Sequence, residues 1–305
     1  MSKSAGGLGS AIAIGEVADP PFARLPEPST LFRLRAQRFA VLSQTHELGP
    51  YLRFLAGLCE AQHRAQDGLP EPELPPPERL ARAREFGMPP LDRSRAASDD
   101  VLAATLDSLF ALAPQIDMPD QAREALGRVV AADRDTRETM ASTLLLDIVP
   151  TEAVAEHVFV AAGLQLHFAR LAARLDEETL TPVGEGACPA CGGPPVASMV
   201  VGWKGASGTR FCSCALCATQ WHVVRIKCTL CGTTDGIGYQ GIEGGSEHVR
   251  AETCESCHAH VKILHQHQDP ALEPVADDVA SLALDMLMRE AGYRRGGLNP
   301  FLIGY

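Results

Sequence analysis

The sequence predicts an α+β protein: an N-terminal all-α helical bundle, then two tandem four-cysteine metal modules, then a C-terminal helix. Three observations predict it. Ala and Leu dominate the first half, with apolar residues recurring at helical spacing. Nine of the ten cysteines fall between residues 184 and 265, where Gly, Thr and β-branched residues replace Ala and Leu. An amphipathic helical pattern returns after Pro270 and Pro274.

The first 28 residues are rich in Gly, Ala and Pro and are expected to be poorly ordered. From Ser29 to residue 180 the pattern is helical. Leu31, Leu34, Phe39 and Leu42 make one stripe; Leu52, Leu55 and Leu58 make the next, with Gly49–Pro50 between them. Residues 67–78 form an extended Pro-rich connector, because proline fixes φ and lacks a donor. Helical stretches follow over 78–86, 99–113, 119–132 and 134–147. The run 153–175 is apolar around most of its circumference, which marks a buried central helix.

At Thr181 the character changes. A first metal module is expected over 184–226 and a second over 227–268, with β-prone runs at Val196–Val201, Gln220–Arg225, Ile237–Gly241 and His260–Leu264. The last segment, 269–305, is expected to be one helix and a tail. Its helix carries a stripe of Val279, Leu282, Ala283, Met286 and Leu287, with Asp277 or Asp278 as N-cap.

Four Cys-x-x-Cys knuckles carry the chemistry: Cys188/Cys191, Cys214/Cys217, Cys228/Cys231 and Cys254/Cys257. A shift of 40 positions carries the first two onto the last two. It also places Gly192 on Gly232, Gly205 on Gly245 and Arg210 on Arg250, so the region is an internal duplication. A Cys-x-x-Cys turn aims two sulfurs at one centre, and two such turns close a tetrahedral S₄ shell. Each unit is too small to fold on an apolar core alone, and an ion would contribute roughly 10–16 kcal/mol, the scale of small zinc peptides. The duplication favours pairing within each repeat; a cross-braced pairing of 188/191 with 228/231 also respects the shift. Four sulfurs suit zinc or iron alike. The Cys-Pro-x-Cys-Gly form at 188–192 leans toward a rubredoxin-type knuckle, so the modules read as rubredoxin-like or zinc-ribbon-like.

Other candidates have simpler readings. Cys212 has Glu252 at its repeat position and reads as an inert, half-buried thiol; Cys59 reads as core. His222, His258, His260, His265 and His267 are surplus as ligands and are expected at the surface or beside the ligands. His157 and His167 read as satisfied structural histidines. Asp277, Asp278 and Asp285 read as helix-capping and solvent-exposed groups.

The bulk numbers exclude several classes. With 305 residues, 46% hydrophobic and 21% charged, a packed globule of about two domains is expected. The formal charge is −11, and residues 185–268 hold six basic and six acidic side chains, so no nucleic-acid footprint is present. No run is long and apolar enough for membrane insertion. No export signal is recognisable, which predicts a reducing cytoplasmic compartment and cysteines used as metal ligands. No phosphate loop, nucleophile elbow or paired-carboxylate motif rises above chance, so no enzyme activity is expected.

The C-terminal half resembles the FdhE family of formate dehydrogenase accessory proteins. The resemblance is carried by Cys188-Pro-Ala-Cys191-Gly192, CALCATQWHVVRIKCTLC (214–231), AETCESCHAHVKIL (251–264) and the tail DPALEPVADDVASLALDMLMREAGYRRGGLNPFL (269–302). It implies a cytoplasmic maturation factor that binds the catalytic subunit of formate dehydrogenase before export. It also implies rubredoxin-like iron sites on the eight knuckle cysteines, which favours iron over zinc. A redox protein delivering electrons to the client enzyme or its cofactor is the alternative.

Overall fold

The computed structural model describes residues 20–302. A short strand, β1 (Ala23–Arg24), is followed by α1 (Pro28–Leu42), α2 (Gly49–Ala65), α3 (Pro77–Glu85), α4 (Asp100–Leu112), α5 (Asp120–Ala131), α6 (Arg134–Leu145) and α7 (Val154–Ala172). Strands β2 (Pro195–Val200), β3 (Arg210–Cys214) and β4 (Gln220–Val223) form the first cysteine module, and β5 (Ile237–Gln240), β6 (Val249–Cys254) and β7 (Ala259–Leu264) the second. Helices α8 (Pro274–Ala280) and α9 (Leu282–Glu290) and the short strand β8 (Arg294–Arg295) complete the described chain.

Helix α7 is buried along nearly its whole length, as its apolar circumference predicts. Helices α2, α4, α5 and α6 pack around it. A Cβ on Gly163 would meet a Leu106 methyl at 2.3 Å, so glycine lets α7 and α4 approach closely. Asp99 caps α4 by accepting from the Val101 and Leu102 amides, and Asp133 caps α6 through Thr136.

The sheet runs β1-β4-β3-β2-β7-β6-β5, with β8 beside β7. Each module is a three-stranded antiparallel meander. The two join head to tail: β2, the first strand of one, pairs in parallel with β7, the last strand of the other, at Ser198↔Ile263 and Met199↔Leu264. The 40-residue shift holds in space, since Arg210↔Val223 in the first module falls on Arg250↔Ile263 in the second.

Four expectations about the chain's ends need correction. Residues 1–19 of the N-terminal segment lie outside the described residues, but 20–28 are placed: Ala23–Arg24 pair with Gln220–Trp221, and the His222 amide donates to Phe22 O at 2.7 Å. The C-terminal helix is two helices, broken at Ser281, whose φ of −102° and ψ of 28° leave the helical region. The stripe shifts accordingly. Leu282, Leu284 and Met288 are buried, while Met286 and Leu287 are exposed. Glu273, not Asp277 or Asp278, caps α8, accepting from the Val275 and Ala276 amides.

Helix α8 joins the halves. Arg35 and Arg38 on α1 reach Glu273 (2.9 Å) and Asp277 (2.6 Å), while the same helix lies on β2. The Asn-Pro-Phe tail then returns to the bundle: Phe301 is buried against Phe39, and the Tyr51 hydroxyl donates to its carbonyl at 2.6 Å.

Candidate metal centres

In each module one knuckle precedes the first strand and the other forms the turn of the following hairpin. Cys214 ends β3 and Cys217 precedes β4; Cys254 ends β6 and Cys257 precedes β7. All four knuckles use one backbone device. The residue after the second cysteine is left-handed: Gly192 (φ 73°), Ala218 (58°), Gly232 (77°) and His258 (49°). For Ala218 and His258 that conformation costs about 1–2 kcal/mol, held in place by the turn around the sulfurs. Amides turn inward as a result: Leu216 N and Cys217 N lie 3.4 and 3.5 Å from Cys214 Sγ.

The eight sulfurs gather into two groups, Cys188/Cys191/Cys214/Cys217 and Cys228/Cys231/Cys254/Cys257, each spanning under 4.8 Å. Pairing is therefore within each repeat, not cross-braced. Sulfur separations are 3.6 Å (Cys188–Cys217) and 3.5 Å (Cys191–Cys214) in the first, and 3.8 Å (Cys228–Cys257 and Cys231–Cys254) in the second. A tetrahedron with metal–sulfur bonds of about 2.3 Å has an edge of about 3.8 Å. A disulfide needs about 2.05 Å. The donor set thus fits one divalent ion per group.

Electrostatics point the same way. Two thiolates about 4 Å apart repel by ~4 kcal/mol at an effective dielectric of 20, and four make six such pairs. Without a cation the four sulfurs of a group cannot all ionise, and their pKa values spread apart. Burial and neighbouring sulfurs push Cys188 well up, while Cys214 is held well below the usual thiol value against burial by donation from its neighbours. Burial opposes ionisation of Cys254 as well, yet the Cys257 and Ser256 amides bring it down to about 7. A divalent cation removes this frustration by letting all four ionise together.

The two groups differ in surroundings. The first belongs to the main core, with all four cysteines buried. Gln165 of α7 donates to Ala215 O (2.9 Å) and the Leu91 amide to Ala190 O (3.0 Å), so the helical bundle grips both knuckles. In the second, Cys231 is exposed and Cys257 half-exposed.

None of the five surplus histidines joins a sulfur group. His260 is buried and its Nε2 lies 2.9 Å from Asp285 Oδ1. Asp277, Asp278 and Asp285 are buried too, which overturns the solvent-exposed reading. Lys262 from β7 lies between Asp285 (2.5 Å) and Asp278 (3.2 Å), Arg295 reaches both, and Asn299 donates to Asp278 at 2.8 Å. Burial of Asp278 and Asp285 is offset by cations brought from β7 and β8, and that of Asp277 by Arg38 of α1. Against burial, His260, Lys262 and Arg295 hold Asp285 below the usual carboxylate range.

His157 is satisfied, by Thr143 at 3.0 Å and Ala153 O at 2.7 Å. His167 is not: both ring nitrogens are buried without a partner, and burial lowers its pKa to about 4. Cys59 is core as expected, and Cys212 is fully buried rather than half-buried; burial pushes both thiols up to about 12.

Sequence reasoning also missed a buried ion pair. Arg210, fully buried on β3, places its guanidinium 2.7 Å from Glu252 of β6 and donates to Ser198 Oγ at 2.9 Å. It ties the modules together across the sheet. The signal was the break in the repeat, since Glu252 occupies the position where the first module has Cys212.

Family models cover the described chain in three consecutive pieces: the FdhE N-terminal region over residues 20–185, the FdhE central domain over 187–225 and the FdhE C-terminal domain over 226–302. A protein described as an FdhE homolog from Rhizobium meliloti (strain 1021) is 47% identical over 294 residues, covering 96% of each chain. Another from Proteus mirabilis (strain HI4320) is 36% identical, covering 91% of this chain and 90% of its own. The crystal structure of the FdhE protein from Pseudomonas aeruginosa superposes with a TM-score of 0.81 at 35% identity, covering 93% of this chain and 99% of that one. From fold, sulfur geometry and these likenesses together, the chain belongs to the FdhE family, known for formate dehydrogenase accessory proteins.

Proposed function

We propose that this protein is a cytoplasmic, non-catalytic accessory factor that binds the catalytic subunit of formate dehydrogenase before export and is needed for that enzyme to become active. The observation that carries the reading is the pair of closed four-sulfur groups in a chain that matches the FdhE family throughout its described length. A closed S₄ shell has no open coordination position for a substrate, unlike a catalytic zinc site. In this reading Cys188, Cys191, Cys214 and Cys217 hold one ion, and Cys228, Cys231, Cys254 and Cys257 the other. Either ion would supply folding free energy, and iron would add reversible one-electron chemistry. Among the described residues no helix is long and apolar enough to cross a membrane. The test is complementation of cells that lack the protein. The full chain should restore formate dehydrogenase activity and co-purify with the catalytic subunit; a chain without residues 184–265 should do neither. Full activity with the truncated chain would refute the proposal.

A second reading has one observation in its favour. Cys231 is exposed, so an iron at the second group would lie near enough to solvent to exchange electrons with a docked client. Visible absorbance that bleaches on reduction supports this role, and colourless zinc-loaded native protein opposes it.

A further inference from the structure

The two ends of the sheet are treated differently. At one end the outer edge of β4 is covered by β1. At the other, β5 is the last strand, and none of its backbone groups pairs outward with any of the described residues. Open edges are normally blunted by lysine, proline or a covering segment, because bare strand backbone recruits other strands. The segment 236–242, Gly-Ile-Gly-Tyr-Gln-Gly-Ile, has no charged residue and no proline in a chain that is 21% charged.

The internal repeat indicates what such an edge takes. In the first module, β7 docks in parallel on Ser198 and Met199 of β2. Those two residues pair on their other side with Cys212 and Phe211 of β3. The 40-residue shift carries Cys212 and Phe211 to Glu252 and Ala251, whose β5 partners are Tyr239 and Gln240. The same edge of the same meander is therefore filled in one module and open in the other. Ser198 and Met199 are fully buried, whereas Tyr239 and Gln240 are exposed.

We infer that the outer edge of β5 is a docking site for an extended polypeptide segment, added as a further parallel strand over Tyr239–Gln240. A second copy of this chain is a poor occupant in that mode. Its complementary strands are already engaged, β7 by β2 and β8 and β4 by β1. The occupant is a strand of another protein, held by main-chain hydrogen bonds as in other cases of strand addition. Identifying that protein as the client enzyme rests on the accessory-factor reading above.

The test is amide hydrogen exchange of the full-length metal-loaded protein, alone and co-purified with the catalytic subunit of formate dehydrogenase. Protection of amides 237–241 should rise at least tenfold in the complex, with Ala23–Arg24 unchanged. The variant Gln240→Lys/Gly241→Lys should bind the subunit at least tenfold more weakly while keeping two ions per chain; a Cβ on Gly241 meets nothing within 4 Å. A complex that forms with 237–241 unprotected, or that the variant binds normally, overturns the edge assignment and leaves the client reading standing. Absence of any complex overturns both.

Discussion

The two cysteine modules share a 40-residue repeat, one knuckle geometry and nearly equal sulfur spacings, yet their settings differ. The first is sunk in the main core and gripped by Gln165 and the Leu91 amide. The second has one cysteine exposed, another half-exposed, and a strand edge left open among the described residues. Duplication copied the four-sulfur unit, and tertiary packing then gave the copies different settings. The first sulfur group lies within the core that holds the helical bundle to the sheet; the second lies nearer the surface, with Cys231 exposed.

Single-cysteine variants should separate the copies most sharply. Cys191→Ser removes a ligand inside the core, and the lost ion is worth roughly 10–16 kcal/mol, comparable to the whole stability of a domain. Insoluble or molten protein is expected, read by near-ultraviolet circular dichroism and expression yield. Cys231→Ser should lose one ion and leave the bundle's thermal midpoint nearly unchanged. Equal damage from both variants would erase the distinction between the modules.

The junction between the copies comes next. Glu252→Ala strands Arg210 without its carboxylate in a buried site, and about 3–5 kcal/mol of stability should be lost. Arg210→Met combined with Glu252→Leu should recover most of it, because the buried charge is then gone. Denaturant unfolding of the three variants measures this directly.

Acid should strike the bundle side first. His167 is neutral in the folded state down to about pH 4, whereas the unfolded chain protonates it near 6.5. The unfolded state therefore holds the extra proton between those values, so stability falls as pH falls through that window, by about 3 kcal/mol in all. His167→Leu should flatten the profile between pH 6.5 and 4. An unchanged slope would show that the ring is solvated or paired.

The smallest effect is chemical. After chelation at neutral pH, Cys231 should alkylate well before Cys212 and Cys59, whose buried thiols sit near pKa 12. Mass spectrometry of the peptides reads the order.

Much of this was legible from residue order alone. The two groups of four sulfurs followed from spacing, because a Cys-x-x-Cys turn is a local device that does not depend on distant packing. The buried helix α7 was legible for the same reason, through its apolar circumference. What sequence concealed were features made by distant partners. Asp278 and Asp285 look like surface carboxylates until Lys262 and Arg295 are brought to them. Strand β3, Arg-Phe-Cys-Ser-Cys, lacks β-branched residues and exists because β2 and β4 flank it. Ala23–Arg24 lie in a segment of low-complexity composition, and only the edge of β4 makes them a strand. The break at Ser281 has no sequence signal beyond a single small polar residue.

Metal content of protein purified without oxygen tests the central claim most directly. Elemental analysis should find two ions per chain in the unmodified protein and one in Cys231→Ser. Eight sulfurs found with no bound ion, whether as free thiols or bridged to one another, would contradict it.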